Sequence, residues 1–187
     1  EDAKRVFDML QNRDVVSWGA IIAGYAVHGP IHHAFSLFYD MQKAGVQPCK
    51  VTFLSILKAC VTGAVVKNGR LIHDFIVRVG LESDIVILNT LVDMYAKCGF
   101  LTEAHEVFDG LLEQDVVSYS VLISGYACQG HHVHVFHLFE KMIEKGVQPD
   151  EVILLRVLSV CSHAGFVDEG HYYLANISKA CFISITT

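Results

Sequence analysis

The hydrophobic and polar positions of the chain follow a pattern that the sequence uses twice. VVSWGAIIAGYAVHG at residues 15–29 returns as VVSYSVLISGYACQG at residues 116–130, and GVQP at 45–48 returns as GVQP at 146–149. Each position of the first copy therefore has a counterpart 101 positions later. Self-similarity at a fixed spacing is typical of repeat proteins, whose units bury their apolar faces against their neighbours.

Within each copy the apolar positions have the spacing of α-helices joined by short turns. The first copy predicts a helix from Ser17 to about Val27, a break at Gly29-Pro30, and a second helix from Ile31 to Ala44 that stops at Gly45. Glycine suits the end of a helix, and proline suits the start of the next one. The same reasoning predicts an amphipathic helix within residues 1–14 and another over residues 66–79. The predicted unit is a helical hairpin.

The turns between the predicted helices divide the chain into repeat units of unequal length. Residues 15–49 and 50–84 form two units of 35 residues, residues 85–115 form one of 31, and together they make up the 101-residue period. Residues 116–150 restart the cycle, and residues 151–187 begin the second kind of unit before the agreement fades at about residue 173. The β-branched tail CFISITT is a poor helix former. Residues 1–14 match 102–115 and are predicted to be the second helix of a truncated unit.

The amino-acid composition and net charge limit the functions that the chain could have. Apolar residues make up 52% of the chain and charged residues 18%, which suits stacked helices, and no apolar run approaches the ~18 residues that could span a bilayer. The net charge of −6 argues against general, sequence-independent binding of nucleic acid. Base recognition in a narrow groove can still coexist with an acidic outer surface. The six cysteines show no CxxC spacing, so buried helix residues in a reducing compartment are expected.

These strings resemble the pentatricopeptide repeat family, and specifically its plant PLS subclass, in which P, L and S motifs alternate. The matching residues are VVSWGAIIAGYAVHG and GVQP for P, VTFLSILKAC for L, and NTLVDMYAKCG with EAHEVFD for S. The resemblance assigns residues 15–49 and 116–150 to P, 50–84 and 151–187 to L, and 1–14 and 85–115 to S. It implies an all-α fold, a right-handed superhelical solenoid of helix-turn-helix hairpin repeats. The tetratricopeptide repeat is a similar hairpin, but its period is uniform at about 34 residues.

The resemblance also implies a function. It is the sequence-specific binding of single-stranded RNA, about one base per repeat, by part of a mitochondrial or chloroplast RNA-editing or RNA-processing factor. A targeting peptide would then lie outside these residues. Helical repeats can read unstacked bases with two or three side chains per unit. Small editing-factor proteins are implied as possible partners of the L motifs.

In the family, the fifth and last residues of a motif select the base, and the second residue wedges against it. Carried onto this sequence, the base-reading pairs are Asn89 with Asp115, associated with uracil, and Ser120 with Asp150, associated with guanine. The pairs Gly19 with Cys49 and Leu54 with Asp84 are expected to be weak or silent, because glycine and leucine side chains cannot hydrogen-bond a base. The wedge positions all carry valine, at Val16, Val51, Val86, Val117 and Val152.

Simpler interpretations of the same residues remain open. Asn89 and Ser120 could be helix caps or exposed helix residues, and the valines could belong to the core. The four aspartates at positions 14, 84, 115 and 150 could each cap the helix that follows, alone or in addition to reading a base.

Other chemistry has little support in the sequence. A metal site among His131, His132, His134 and His137, or near His32 and His33, would need converging ligands, and a solvent-facing histidine run is the expected outcome. No nucleophile, phosphate-loop or zinc-deaminase motif occurs, so neither catalysis nor a cofactor is expected. The alternative function is an α-helical scaffold that binds protein partners without reading RNA, which the negative charge and the leucines favour. Helix faces left open at the ends of a truncated array could also cause self-association.

Overall fold

The computed structural model describes residues 2–164, with side chains up to residue 162, and all regular secondary structure in this part of the chain is α-helical. The helices have the following bounds: α1 Asp2–Met9, α2 Val15–His28, α3 Ile31–Lys43, α4 Lys50–Gly63, α5 Val66–Arg78, α6 Ile85–Lys97, α7 Leu101–Asp109, α8 Val116–Cys128, α9 His132–Glu144 and α10 Glu151–Ala164. The predicted all-α fold of helical hairpins is confirmed. The predictions about the tail beyond residue 164 lie outside the described residues.

The helix boundaries agree with the sequence pattern to within two residues. The largest difference is at the start of α2, which begins at Val15 and not at Ser17, because the Asp14 carboxylate accepts a hydrogen bond from the Ser17 N–H at 2.8 Å and closes the first turn from outside. α3 ends at Lys43, one residue before the predicted end. None of the described helices is long and apolar enough to cross a membrane.

The glycines that end the helices act in two different ways. Gly45 has φ +74°, a left-handed conformation that lets its N–H bond to Gln42 O at 2.9 Å and the Val46 N–H bond to Met41 O at 3.1 Å. Gly29 instead has an extended backbone, and a Cβ there would lie 2.4 Å from a ring carbon of Tyr25. Gly29 is therefore required by close packing and not by backbone conformation.

The chain forms two compact units, Glu1–Glu113 and Gln114–Thr187. In the first, each first helix of a hairpin lies between its own second helix and the next first helix: α2 contacts α3 and α4, and α4 contacts α5 and α6. The rings of Phe38, Phe53 and Phe75, from α3, α4 and α5, lie 6.0 Å from one another. This aromatic cluster joins the first hairpin to the second.

The second unit repeats this arrangement with fewer described helices. α8 contacts α9 and α10, and α9 also contacts α10. The buried side chains at its centre are Tyr119, Leu122, Ile123, Phe139 and Val157. Both units thus stack hairpins through their first helices.

α1 lies where the sequence predicts it, but its apolar face is only partly covered. Phe7 is buried, and its ring contacts that of Trp18 edge to face with 4.8 Å between centroids. Val6, Met9 and Leu10 are exposed, although Val6 and Leu10 have the i, i+4 spacing of an amphipathic helix. A cavity of about 610 Å³ lies between α1 and α2, lined by Val6, Leu10 and Ile21 among others.

Candidate functional site

The first helix of every described hairpin carries an exposed valine in its first turn. Exposure of these side chains ranges from 46% at Val86 to 71% at Val16. The other three, with intermediate values, are Val51, Val117 and Val152. The interpretation of these valines as core residues is therefore wrong. An exposed apolar side chain at the same position of each first helix is suited to contact with an apolar partner.

In the first unit these valines lie at the same end of the packed helices. A Cβ on Gly19, near the start of α2, would lie 3.4 Å from the Thr52 hydroxyl at the start of α4. At the other end, the Cys98 thiol, just after α6, donates to the Cys60 carbonyl of α4 at 3.8 Å. The three first helices therefore run in the same direction, and Val16, Val51 and Val86 share one edge.

The aspartates that precede these helices are helix caps. Asp14 accepts from the Ser17 N–H at 2.8 Å, and this hydrogen bond lowers the pKa of its carboxyl. Asp115 accepts from both the N–H and the hydroxyl of Ser118 at 2.8 Å. The remaining caps are the bonds from Val86 N–H and Ile87 N–H to Asp84 at 3.0 and 3.2 Å, and from Ile153 N–H to Asp150 at 2.9 Å. Capping by these residues is confirmed.

Asp84 has a second partner that the sequence pattern did not predict. The Lys50 Nζ lies 2.8 Å from its Oδ2, and this charged hydrogen bond holds the pKa of the Asp84 carboxyl below its usual value. The ion pair joins the first residue of the unit 50–84 to its last. The sequence does contain a sign of this ion pair, because Lys50 is the only cationic residue that directly precedes one of the five valines. The residues at the equivalent positions are Val15, Ile85, Val116 and Glu151.

Gly19 and Cys49, the pair expected to read a base weakly or not at all, both lie next to Thr52. The Cys49 sulfur lies 3.5 Å from the Thr52 hydroxyl, and Thr52 is fully buried behind Gly19. Burial raises the pKa of the Cys49 thiol, but hydrogen bonds from the Thr52 hydroxyl and backbone outweigh it, and the net pKa is lowered. Cys49 makes no side-chain cap to α4, unlike the aspartates at the equivalent position.

The four predicted base-reading residues differ in accessibility. Asn89 is 7% exposed, Ser120 and Asp115 are half-buried, and Asp150 is exposed. Asn89 and Ser120 are therefore not exposed surface residues, and the first-turn caps are made by Asp84 and Asp115 instead. Ser120 and Asp150 both belong to the second compact unit. Asn89 belongs to the first compact unit and Asp115 to the second, although both lie in the repeat 85–115.

Leucine occupies the fifth position of the units that begin at residues 50 and 151, and its side chain has no polar group that could hydrogen-bond a base. Leu54 is half-buried in α4, and Leu155 is 59% exposed in α10. Ile185, the thirty-fifth residue counted from Glu151, lies outside the described residues.

The histidines in the second helices mainly contact aromatic rings. His134 lies parallel to Tyr126 with 4.7 Å between ring centroids, and the equivalent His33 stacks on Tyr25 at 5.3 Å. In the described part of the chain, no three histidine, cysteine or acidic side chains are arranged to share a metal ion.

A third tyrosine–histidine pair lies between α5 and α6. His73 Nδ1 is 3.1 Å from the Tyr95 hydroxyl. Burial lowers the pKa of His73 despite the nearby Asp74 carboxylate, and burial raises the pKa of Tyr95 to about 12. This pair is therefore neutral near pH 7.

Comparisons with known proteins identify the repeat. Residues 13–62 and 114–152 match a family model described as PPR repeat family, and residues 86–116 match one described as PPR repeat. A putative pentatricopeptide repeat-containing protein of Arabidopsis thaliana is 40% identical over 96% of this chain and 25% of its own length. The chloroplastic protein DOT4 of the same plant is 37% identical over 100% of this chain and 22% of its length. The chain thus spans about a quarter of the length of such relatives.

Solved structures show the same fold at low identity. The pentatricopeptide repeat protein PPR10, in complex with an 18-nt psaJ RNA element, has a TM-score of 0.74 and 22% identity over 95% of this chain and 27% of its own. The nuclear protein-only RNase P 2 of Arabidopsis thaliana has a TM-score of 0.67 and 15% identity over 87% of this chain and 38% of its own. These matches place the hairpins described above in a helical-repeat solenoid fold.

Proposed function

Because the chain belongs to the pentatricopeptide repeat family, we propose that it is a sequence-specific module for single-stranded RNA. It would form part of a longer organellar RNA-editing or RNA-processing factor, bind about one base per repeat, and catalyse no reaction itself. Relatives of similar identity are named chloroplastic or mitochondrial, which supports an organellar location. The alternation of 35-, 35- and 31-residue units supports assignment to the PLS subclass.

The observation that carries this proposal is the exposed valine at the same place in five first helices. Unstacked RNA bases have an apolar face, and contact with a flat apolar or aromatic surface shields that face from water. In the first compact unit, where the three first helices run in the same direction, a valine in the first turn of each helix offers one such contact per repeat. PPR10, which shares the fold, was solved with a bound RNA element.

Base selection is proposed to come from the polar residues beside these valines. The amide of Asn89 and the hydroxyl of Ser120 can each donate and accept hydrogen bonds, and Asp115 and Asp150 can accept them. Ser120 is the more accessible of the two fifth-position residues, since Asn89 is 7% exposed. We therefore expect Ser120 to discriminate more strongly than Asn89.

The test exchanges the two fifth-position residues. The chain and its Asn89→Ser and Ser120→Asn variants would each be incubated with a randomised single-stranded RNA pool at low salt, and the bound RNA sequenced. The wild type should enrich a U-G step, Asn89→Ser should shift the first position toward G, and Ser120→Asn should shift the second toward U. Ser36→Asn is a matched control, because Ser36 is exposed on the second helix α3. Binding with no shift in either variant would refute the assignment of the readers.

A protein-binding scaffold is the second candidate, favoured by the net charge of −6 and by the 59% exposure of Leu155 where a polar reader would be needed. The salt dependence of binding separates the two functions, since RNA binding weakens steeply as salt rises and an apolar protein contact does not.

Self-association is a separate question. Size-exclusion chromatography of the same samples would detect it, and the partly covered face of α1 is the surface proposed to cause it.

A further inference from the structure

A cationic cavity lies at the edge of the second repeat. It has a volume of about 540 Å³ and is bounded by the turn that precedes α4 and by the end of α5. Lys50 lines it from the first side, next to Cys49, and Arg78 lines it from the second side, next to Leu81. None of the side chains that line it in the described part of the chain is acidic. Two cationic side chains therefore border the cavity.

Lys50 is held in place but keeps donors for a ligand. One N–H of its ammonium is directed to Asp84 Oδ2 at 2.8 Å, while the other oxygen of Asp84 caps α6. An ammonium group has further donors beyond the one in this ion pair. The Lys50 side chain is 43% exposed, so these donors can reach a ligand from solvent. The next residue is the exposed Val51, so Lys50 lies at the same end of α4 as the proposed base contact.

Arg78 is oriented in a similar way from the opposite side. Its Nε donates to the Asp74 carbonyl at 3.3 Å, and its guanidinium lies 5.3 Å from the centre of the Phe75 ring. The donors on its two terminal nitrogens take no part in that backbone bond. Because the guanidinium is planar and held at its base, it can direct these donors into the cavity.

We propose that Lys50 and Arg78 bind a phosphate group of the RNA backbone next to the base that contacts Val51. This inference rests on the proposed function and extends it to a contact that does not depend on base identity. Leu54 cannot hydrogen-bond a base, and Asp84 is occupied by Lys50 and by the α6 cap. The repeat 50–84 therefore contributes affinity, whereas the repeats containing Asn89 and Ser120 contribute selectivity. RNA is favoured over an acidic peptide because Lys50 begins the helix whose first turn carries the exposed Val51, and RNA alternates apolar base faces with phosphates.

The second copy of this repeat differs at the same position. The residue 101 positions after Lys50 is Glu151, which is exposed at the start of α10. The fold therefore accepts either charge at this position, and the cation of the first copy is not required to form the helix. The phosphate site is accordingly assigned to the first copy alone.

The test measures the salt dependence of RNA binding. A fluorescently labelled single-stranded RNA that contains the enriched U-G step would be titrated with the chain between about 50 and about 200 mM salt. The variants are Lys50→Met and Arg78→Met, and the control is Lys67→Met, which removes an exposed lysine from the same repeat on α5. Each lost phosphate contact should lower the slope of log K against log salt by about 0.7, so that the variant loses roughly 2.6-fold less affinity over this range. Enrichment from the random pool should keep the same base preference.

The outcomes separate this inference from the proposed function. If the wild type binds RNA and the slopes of Lys50→Met and Arg78→Met equal that of Lys67→Met, the phosphate site is refuted and the RNA-binding function stands. A changed base preference would also refute it, because Lys50 would then read a base. If the wild type fails to bind RNA but binds a polyglutamate peptide through Lys50, both proposals are wrong. Circular dichroism of each variant checks that the helices are intact.

Discussion

Two caps of the same sequence, DVVS, are expected to differ in their contribution to stability. The Asp14 carboxylate accepts one N–H bond from Ser17, which is half-buried. The Asp115 carboxylate accepts two bonds from Ser118, which is 0% exposed. Removal of Asp115 therefore leaves a buried N–H and hydroxyl without their acceptor, whereas water can replace Asp14.

This difference sets the size of the effect. Loss of an N-cap costs roughly 0.5–2 kcal/mol, and a buried donor left unsatisfied costs about 1–3 kcal/mol. We expect Asp115→Ala to lower the free energy of unfolding by about 2 kcal/mol, a change of roughly 30-fold in the ratio of folded to unfolded protein. Asp14→Ala should lower it by less. Asp115→Asn should retain most of the stability, because asparagine caps helices about as well as aspartate.

The assay is urea unfolding followed by circular dichroism, with the unfolding midpoint of each variant compared with that of the wild type. Hydrogen exchange at the first turns of α2 and α8 gives an independent local measurement. A loss in Asp14→Ala that equals or exceeds that in Asp115→Ala would refute the argument from burial. A loss in Asp115→Asn as large as in Asp115→Ala would show that charge, and not capping, supports the helix.

Two further predictions concern stability. Burial lowers the pKa of His73 in the folded state, so its contribution to stability is present above the unfolded value of 6.5 and is lost as pH falls through the folded pKa. His73→Gln should therefore reduce the loss of unfolding free energy as pH falls below 6.5. Gly24 is exposed in α2, and a Cβ added there would have no atom within 4 Å, so Gly24→Ala should stabilise by about 0.5–1 kcal/mol. Gly45→Ala should instead destabilise by about 1–2 kcal/mol, because Gly45 has φ +74°; differential scanning calorimetry compares the two.

The repeat pattern was sufficient to predict the hairpins and most helix ends. It could not show which face of a first helix is buried, because α2 and α8 carry apolar residues around most of their circumference. Val16 and Ile22 are both apolar residues of α2, yet Val16 is exposed and Ile22 is fully buried. Only the neighbouring helices decide between them.

The site was predictable in position but not in its contacts. The sequence placed Asp84 at the end of a repeat, but its pairing with Lys50 joins residues 34 positions apart and depends on how α4 packs against α6. The near burial of Asn89 has the same origin, since α6 lies against both α4 and α7. Local spacing carries no information on such contacts.

The caps link stability to recognition in this fold. Asp115 and Asp150, which are proposed to help select a base, each precede a first helix, and their carboxylates also satisfy first-turn N–H groups. The side chains that cap well are Asp, Asn, Ser and Thr, and all four can hydrogen-bond the edge of a base. The requirements of the helix start therefore restrict this position to the residue types that base reading needs. Where the sequence departs from them, at Cys49, α4 lacks a side-chain cap, and the neighbouring Lys50 is proposed to bind phosphate and not a base.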